Sequence, residues 1–168
     1  MWSVRVVKKK DMNTAFEKTV GKDEWLTPPE IIKSLGKFDL DPCAPIIRPW
    51  DTALKHYTKE DNGLLQNWEG RIWCNPPYGR QTSLWLNKCA LHGNCIVLTF
   101  ARTETKMFFD YVWNTADAVF FFKGRIKFYH VSGEMSDSAG APSVLIAYGH
   151  NNALALLNCS LKGKLINL

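Results

Sequence analysis

Arg71-Ile72-Trp73-Cys74-Asn75-Pro76-Pro77-Tyr78-Gly79 is the stretch on which the reading of this chain turns. An apolar run of strand character, Arg71 to Cys74, is stopped by a proline pair. Proline holds φ at about −65° and has no amide hydrogen for a ladder. Ser83 to Leu91 then reads as a helix. Cys95 to Phe100 (Cys-Ile-Val-Leu-Thr-Phe) is the continuous apolar run of a strand buried on both faces.

Downstream, Thr105 to Trp113 reads as a helix and Ala118 to Phe122 as another buried strand. Ile126 to Tyr129 is a short strand, 132 to 140 a polar loop, Ser143 to Tyr148 the strand that closes the sheet, and Ala153 to Leu157 an added edge. Upstream, Phe38 to Asp41 is a short strand, and 45 to 68 is irregular, with Pro45, Pro49 and the turn Asp61-Asn62-Gly63. Thr27-Pro28-Pro29-Glu30 opens a helix that Gly36 ends: Thr27 is expected to cap it, Pro28 to take its first position and Glu30 to complete a capping box. The alternation of strand and helix predicts an α/β fold, an open and mostly parallel sheet with helices on both faces. Residues 1–24 are polar with weak periodicity and read as an arm, leaving 25–168 as a single domain.

Length and composition agree with that division. The chain has 168 residues, 46% apolar and 12% aromatic, which fits one ordinary domain and excludes disorder. No stretch approaches the ~18 apolar residues of a membrane span, and the first residues lack a signal peptide's apolar stretch, so the expectation is a soluble, cytoplasmic protein without a membrane partner. Five cysteines (Cys43, Cys74, Cys89, Cys95, Cys159), none in Cys-x-x-Cys spacing, read as reduced thiols rather than a disulfide scaffold. Cys89, His92 and Cys95 have ligand-like spacing but no fourth ligand nearby in sequence, so no metal is expected.

The net charge of +5 is uneven. Residues 71 to 130 carry eight basic side chains (Arg71, Arg80, Lys88, Arg102, Lys106, Lys123, Arg125, Lys127) against three acidic ones, whereas 25 to 70 carry five basic and seven acidic. A basic block of this kind suits a polyanion such as DNA or RNA.

In open α/β sheets ligands sit beyond the carboxyl ends of the strands. Asp41-Pro42-Cys43-Ala44 follows the first strand, Asn75-Pro76-Pro77-Tyr78 the second and Ala101-Arg102-Thr103 the third. Asn-Pro-Pro-Tyr arises by chance in roughly one chain of this length in two thousand, which favours a site over an ordinary turn. The side-chain oxygen of Asn75 and the backbone oxygen of Pro76 form a stiff pair of acceptors, and Tyr78 adds a flat aromatic face. Together they suit a planar group bearing an NH2, such as the exocyclic amine of adenine. That amine is a poor nucleophile, because its lone pair is delocalised into the ring. Hydrogen bonds from both its N–H groups would aim the lone pair and stabilise positive charge developing on nitrogen. An amine inside a duplex cannot reach such a site unless its nucleotide is flipped out.

Asn75-Pro76-Pro77-Tyr78 resembles the signature (Asn/Asp/Ser)-Pro-Pro-(Tyr/Phe/Trp) of S-adenosylmethionine-dependent amino-methyltransferases. More narrowly, the chain is similar to the small phage and prophage DNA N6-adenine methyltransferases, the Dam-like phage family. The matching features, in order, are Asp23-Glu24-Trp25-Leu26-Thr27-Pro28, Phe38-Asp39-Leu40-Asp41-Pro42-Cys43-Ala44, Asp61-Asn62-Gly63-Leu64, Trp68 and Trp73 to Gly79. They continue with Trp85, Ala101-Arg102-Thr103-Glu104-Thr105 with Phe108, and Gly124-Arg125-Ile126-Lys127-Phe128. The likeness covers roughly residues 23 to 149.

The resemblance implies a Rossmann-like methyltransferase fold, S-adenosyl-L-methionine as cofactor and double-stranded DNA as partner. It places Asn75, Pro76, Pro77 and Tyr78 at the reacting amine, and Trp25, Thr27, Pro28, Asp41, Pro42, Cys43 and Asp61 at the cofactor. Asp41 would accept from the methionine ammonium. Arg80, Arg102, Arg125 and Lys127 would face nucleic acid, and Phe128 would close the other face of the flipped adenine. Two departures stand out: no glycine-rich loop follows Asp41, and only 33 residues lie between Asp41 and Asn75. The cofactor site is therefore expected to be abbreviated, and loops such as 44 to 67 and 124 to 142 must read the target sequence. A protein-glutamine N5-methyltransferase and a non-catalytic DNA-binding module on the same scaffold are the alternatives.

Overall fold

The computed structural model describes residues 24–168, so the arm expected over residues 1–24 lies, apart from Glu24, outside the described residues. In chain order the strands are β1 (Leu40–Asp41), β2 (Lys55–His56), β3 (Ile72–Cys74), β4 (Cys95–Phe100), β5 (Ala118–Phe122), β6 (Lys127–Tyr129), β7 (Met135–Ser138), β8 (Ser143–Tyr148) and β9 (Gly163–Asn167). The helices are α1 (Pro29–Leu35), α2 (Thr82–His92), α3 (Lys106–Phe108, running into a π-helical turn over Phe109–Trp113) and α4 (His150–Asn158).

Seven strands form one sheet in the order β2-β1-β3-β4-β8-β5-β9, and β6 and β7 form a separate hairpin. The pairs β1/β2, β1/β3 and β3/β4 are parallel, whereas β4/β8, β8/β5 and β5/β9 are antiparallel. The sheet is thus mixed, parallel on one side of β4 and antiparallel on the other. The parallel half is the one whose strands alternate with helix or loop crossovers, as parallel pairing requires.

The continuous apolar runs behave as expected: every residue of β8, and all of β4 except Phe100, is buried. Successive side chains of these strands divide between two cores. Ile72, Cys74, Val97, Val119 and Ile146 pack with Trp85, Leu86 and Cys89 of α2 and with Phe108 and Val112. Trp73, Ile96, Leu98, Phe120 and Leu145 pack on the opposite face with Ile31 and Leu35 of α1 and Leu156 of α4. Helices cover both faces, in three layers.

Several local expectations are corrected. The N-cap of α1 is Pro28, Pro29 takes the first helical position, and no side chain caps the helix. The Thr27 hydroxyl is engaged elsewhere. The run Ala153 to Leu157 belongs to α4 rather than to an edge strand, because Asn152 and Leu156, one helical turn apart, are the residues it buries. The true edge is β9, pairing along all of β5. The polar segment 132–140 contains β7, and the segment read as irregular over 45–68 contains β2.

The chain leaves β1 towards β2 on one side and leaves β3 towards β4 on the other. Between β1 and β3 the connections diverge, which opens a crevice at their carboxyl ends. Asp41-Pro42-Cys43 and Asn75-Pro76-Pro77-Tyr78 both emerge there.

Candidate active site

Asp41, the last residue of β1, is 3% exposed. Its carboxylate accepts from the Cys43 N–H at 3.1 Å and from the Thr52 hydroxyl at 2.5 Å. Burial pushes the carboxyl up from 3.8 to about 6, only partly offset by the Thr52 and Cys43 hydrogen bonds and by the Arg48 guanidinium. Thr52 is itself held in place by His56, whose Nε2 accepts the N–H groups of Thr52 and Ala53 at 3.4 Å each. Burial, with Arg48 nearby, lowers the His56 pKa, in keeping with a neutral ring whose nitrogen accepts.

At the end of β3, Asn75 is half-buried and donates from Nδ2 to the Thr27 Oγ1 at 3.3 Å. The Tyr78 hydroxyl lies 3.5 Å from the Asn75 Oδ1. The Pro77 carbonyl accepts from the Thr82 hydroxyl at 2.8 Å, which ties the proline pair to the start of α2. The Tyr78 ring stacks on Phe100, the last residue of β4, with centroids 4.1 Å apart and planes inclined by 7°. Burial raises the Tyr78 hydroxyl well above the ordinary tyrosine range, so it stays protonated. The two loops also meet through sulfur, the Cys43 and Cys74 Sγ atoms being 3.7 Å apart. Burial raises the pKa of both thiols.

Both loops line a single cavity of about 860 Å³. Of the residues expected at a cofactor or amine, Trp25, Thr27, Asp41, Pro42, Cys43, Asn75, Pro76, Pro77 and Tyr78 line it. Pro28 does not, being spent on the start of α1. Nor does Asp61. Its exposed carboxylate accepts from the Thr58 N–H at 2.7 Å and the Thr58 hydroxyl at 3.0 Å, while Asn62 and Gly63 beside it face the cavity. Phe128 too lies away from the cavity lining. On β6 it alternates with exposed Lys127, and its ring is buried beneath the sheet with Ile126 and Ile31 rather than at the cavity. From that side Trp50 reaches the cavity instead, wedged edge-on against Tyr129 at 5.2 Å and donating from Nε1 to the Thr27 carbonyl at 3.1 Å.

Thr52 and Trp50 were not candidates in the sequence. They sit in the segment without periodicity and reach the site only through space. Two cavity-lining residues, Trp73 and Trp85, bury indole N–H groups that have no hydrogen-bond partner among the described residues.

The basic block divides by role. Arg71 is internal: it donates to the Asn152 Oδ1 at 2.7 Å and the Lys37 carbonyl at 2.8 Å and lies 4.3 Å from the Phe38 ring centroid. Lys88 donates to the carbonyls of Leu64 at 2.7 Å and Gln66 at 2.6 Å. Lys106 pairs with Asp110. Arg80, Arg102, Arg125 and Lys127 are exposed. Among the described residues no group of three His, Cys, Asp or Glu side chains is placed to share a metal ion, and no helix is long and apolar enough to cross a membrane.

A family model described as DNA N-6-adenine-methyltransferase (Dam) matches residues 14–156. No curated protein and no solved structure matches the chain.

Proposed function

Because the chain belongs to the DNA N-6-adenine-methyltransferase (Dam) family, an adenine-specific group of DNA methyltransferases, we propose that its cavity binds S-adenosylmethionine beside an adenine flipped out of duplex DNA. One observation carries this reading. The loop Asn75-Pro76-Pro77-Tyr78 and the buried carboxylate of Asp41 line the same cavity, at the point of the sheet where the connections diverge. The cavity's volume lies within the range of about 300–1,000 Å³ of ligand pockets. A Rossmann-like reading of the sheet rests on that same divergence.

The residues present fit the cationic donor. A buried carboxylate at about 6 is costly to ionise, and an ammonium placed against Asp41 would offset that cost. Trp25, Pro42 and Cys43 give the donor apolar walls. When bound, S-adenosylmethionine would supply a sulfonium methyl group to the N6 lone pair, with the neutral thioether as leaving group and the surplus N6 proton passing to solvent.

The chain's own work is to bind and orient the amine. The Asn75 Oδ1 and the Pro76 carbonyl accept the two N6 hydrogens, which draws the lone pair out of conjugation and stabilises the charge growing on nitrogen. Tyr78, backed by Phe100, offers its free face to the base. No strong base is called for, because the methylated nitrogen is acidic. Arg80, Arg102, Arg125 and Lys127 are the proposed phosphate contacts, which position DNA without reading its sequence.

The test is transfer of label from S-adenosylmethionine to unmethylated duplex DNA. Label should appear on adenine N6, and Asn75→Ala should abolish transfer while donor affinity is retained. Label on a protein glutamine instead would replace this reading with the protein-methylating one. DNA binding without any transfer would point to a binding module.

A further inference from the structure

We infer that Thr27 is a positioning residue for the reaction: its hydroxyl takes the amide nitrogen of Asn75 so that the Asn75 oxygen, beside the Tyr78 hydroxyl, turns its remaining lone pair to the adenine amine. The inference rests on the proposed role of Asn75 and departs from the expectation that Thr27 contacts the cofactor.

Thr27 is 2% exposed, and its Oγ1 lies 3.3 Å from the Asn75 Nδ2 across 48 residues of chain. Its backbone is fixed from three directions. Leu26 before it exchanges two hydrogen bonds with Tyr129, at 2.8 and 3.0 Å. Trp50 donates to the Thr27 carbonyl at 3.1 Å. Pro28 after it starts α1. A threonine beside a helix start ordinarily turns its hydroxyl onto the helix's free N–H groups. Here the N-cap position falls on Pro28, one residue later, and the Thr27 hydroxyl lies against Asn75 instead.

An asparagine amide has one accepting and one donating end. When an amine occupies the site, only one orientation pairs both partners: the oxygen receives the amine's hydrogen, and the NH2 must find an acceptor behind it. Thr27 is that acceptor. Valine, of the same shape, is not, and would leave the half-buried NH2 unpaired in the productive orientation. The opposite orientation sets two donors face to face. The cost falls on the step in which charge develops on the amine, so it belongs in kcat and not in donor binding.

Thr27→Val, Thr27→Ser and Asn75→Ala are to be compared in kcat and in KM for S-adenosylmethionine, with a melting curve for each. Thr27→Val should lower kcat by about tenfold, the size of one lost hydrogen bond, with donor KM unchanged within about twofold. Thr27→Ser, which keeps the hydroxyl, should recover most of the rate. The inference is overturned if Thr27→Val keeps the wild-type kcat, if its loss lies in donor KM, or if Thr27→Ser falls as far as Thr27→Val. Should valine unfold the chain, the serine variant alone decides, since a rate below about a third of wild type contradicts the hydroxyl's role. An Asn75→Ala enzyme of near-normal rate would sink the amine-acceptor mechanism itself. An inactive Asn75→Ala beside an unimpaired Thr27→Val would sink only the assignment to Thr27.

Discussion

The hydroxyl of Thr52 donates to the carboxylate of Asp41 at 2.5 Å, at the wall of the cavity. This bond and the Cys43 N–H do not compensate for burial, which leaves the carboxyl at about 6. A carboxyl raised above its unfolded value keeps its proton in the fold while the unfolded chain loses it, so stability falls as pH climbs from about 4 to about 6. At neutral pH the ionised, buried group costs the fold on the order of a few kcal/mol. Asp41→Asn should therefore melt higher than wild type at pH 7.5, with the gap closing towards pH 4. His56, titrating in both proteins, drops out of that difference.

With Asp41 in its proposed role at the donor, the same carboxylate should make donor binding pH-dependent in the opposite direction. An ammonium pairs with the anion, so affinity for S-adenosylmethionine should rise with pH through about 6 and level off above it. Calorimetric titration of wild type and Asp41→Asn checks this. A flat wild-type profile, or an unweakened variant, would remove Asp41 from the donor site.

Gly63 approaches the loop Asp41-Pro42-Cys43 more closely than any side chain allows. A Cβ there would meet the Pro42 carbonyl oxygen at 1.9 Å, and the Gly63 carbonyl is held from behind by the Trp68 indole N–H at 2.8 Å. Neither backbone can yield without moving Asp41-Pro42-Cys43. Gly63→Ala should raise the donor KM about tenfold or more and lower the melting temperature, at the usual overpacking cost of about 1–3 kcal/mol. Gly140, where an added Cβ meets nothing within 4 Å, is the control: Gly140→Ala should change neither.

What was legible in the sequence is what local pattern encodes. β3, β4, β5 and β8 are apolar runs between prolines, glycines and polar turns, and they lie where the runs lie. Rigid strand ends then carry Asp41 and Asn75 to one crevice. Ala153 to Leu157 failed because a short apolar run fits helix or strand equally, and only burial of Asn152 with Leu156 decides it. Phe128, placed at the base by resemblance alone, packs in the core with Ile126 and Ile31, a burial that no local pattern announces. The bonds from Thr52 to Asp41 and from Asn75 to Thr27 join residues 11 and 48 positions apart. No periodicity records such pairings, so these contacts with Asp41 and Asn75 are visible only in three dimensions.

Phe100 backs the Tyr78 ring at 4.1 Å in a nearly parallel stack. A base stacked on the other face of Tyr78, as proposed, would press it towards Phe100, and the pair would act as one platform. Stacking of this kind is worth about 0.5–1.5 kcal/mol beyond buried area. Phe100→Leu should lower kcat/KM for duplex DNA about three- to tenfold, with the KM for S-adenosylmethionine unchanged. An equal loss in both parameters would mean that Phe100 supports the whole cavity rather than the base.

Arg102 and Lys88 belong to one basic block in the sequence but to different physics in the fold. Arg102 is exposed near Phe100, its guanidinium 6.0 Å from that ring, and is free to meet a phosphate. The Lys88 ammonium is spent on the carbonyls of Leu64 and Gln66 and lies 4.7 Å from the Trp68 ring centroid. Each phosphate neutralised on duplex DNA contributes about −0.9 to the slope of log affinity against log salt. Arg102→Ala should therefore make that slope less steep by about one and leave the melting temperature nearly unchanged. Lys88→Met should leave the slope as it is and cost about 1–3 kcal/mol of stability, since two carbonyls lose their donor. If the Lys88 variant flattened the salt dependence as much as the Arg102 variant, the division of the block into internal and DNA-facing charge would be wrong.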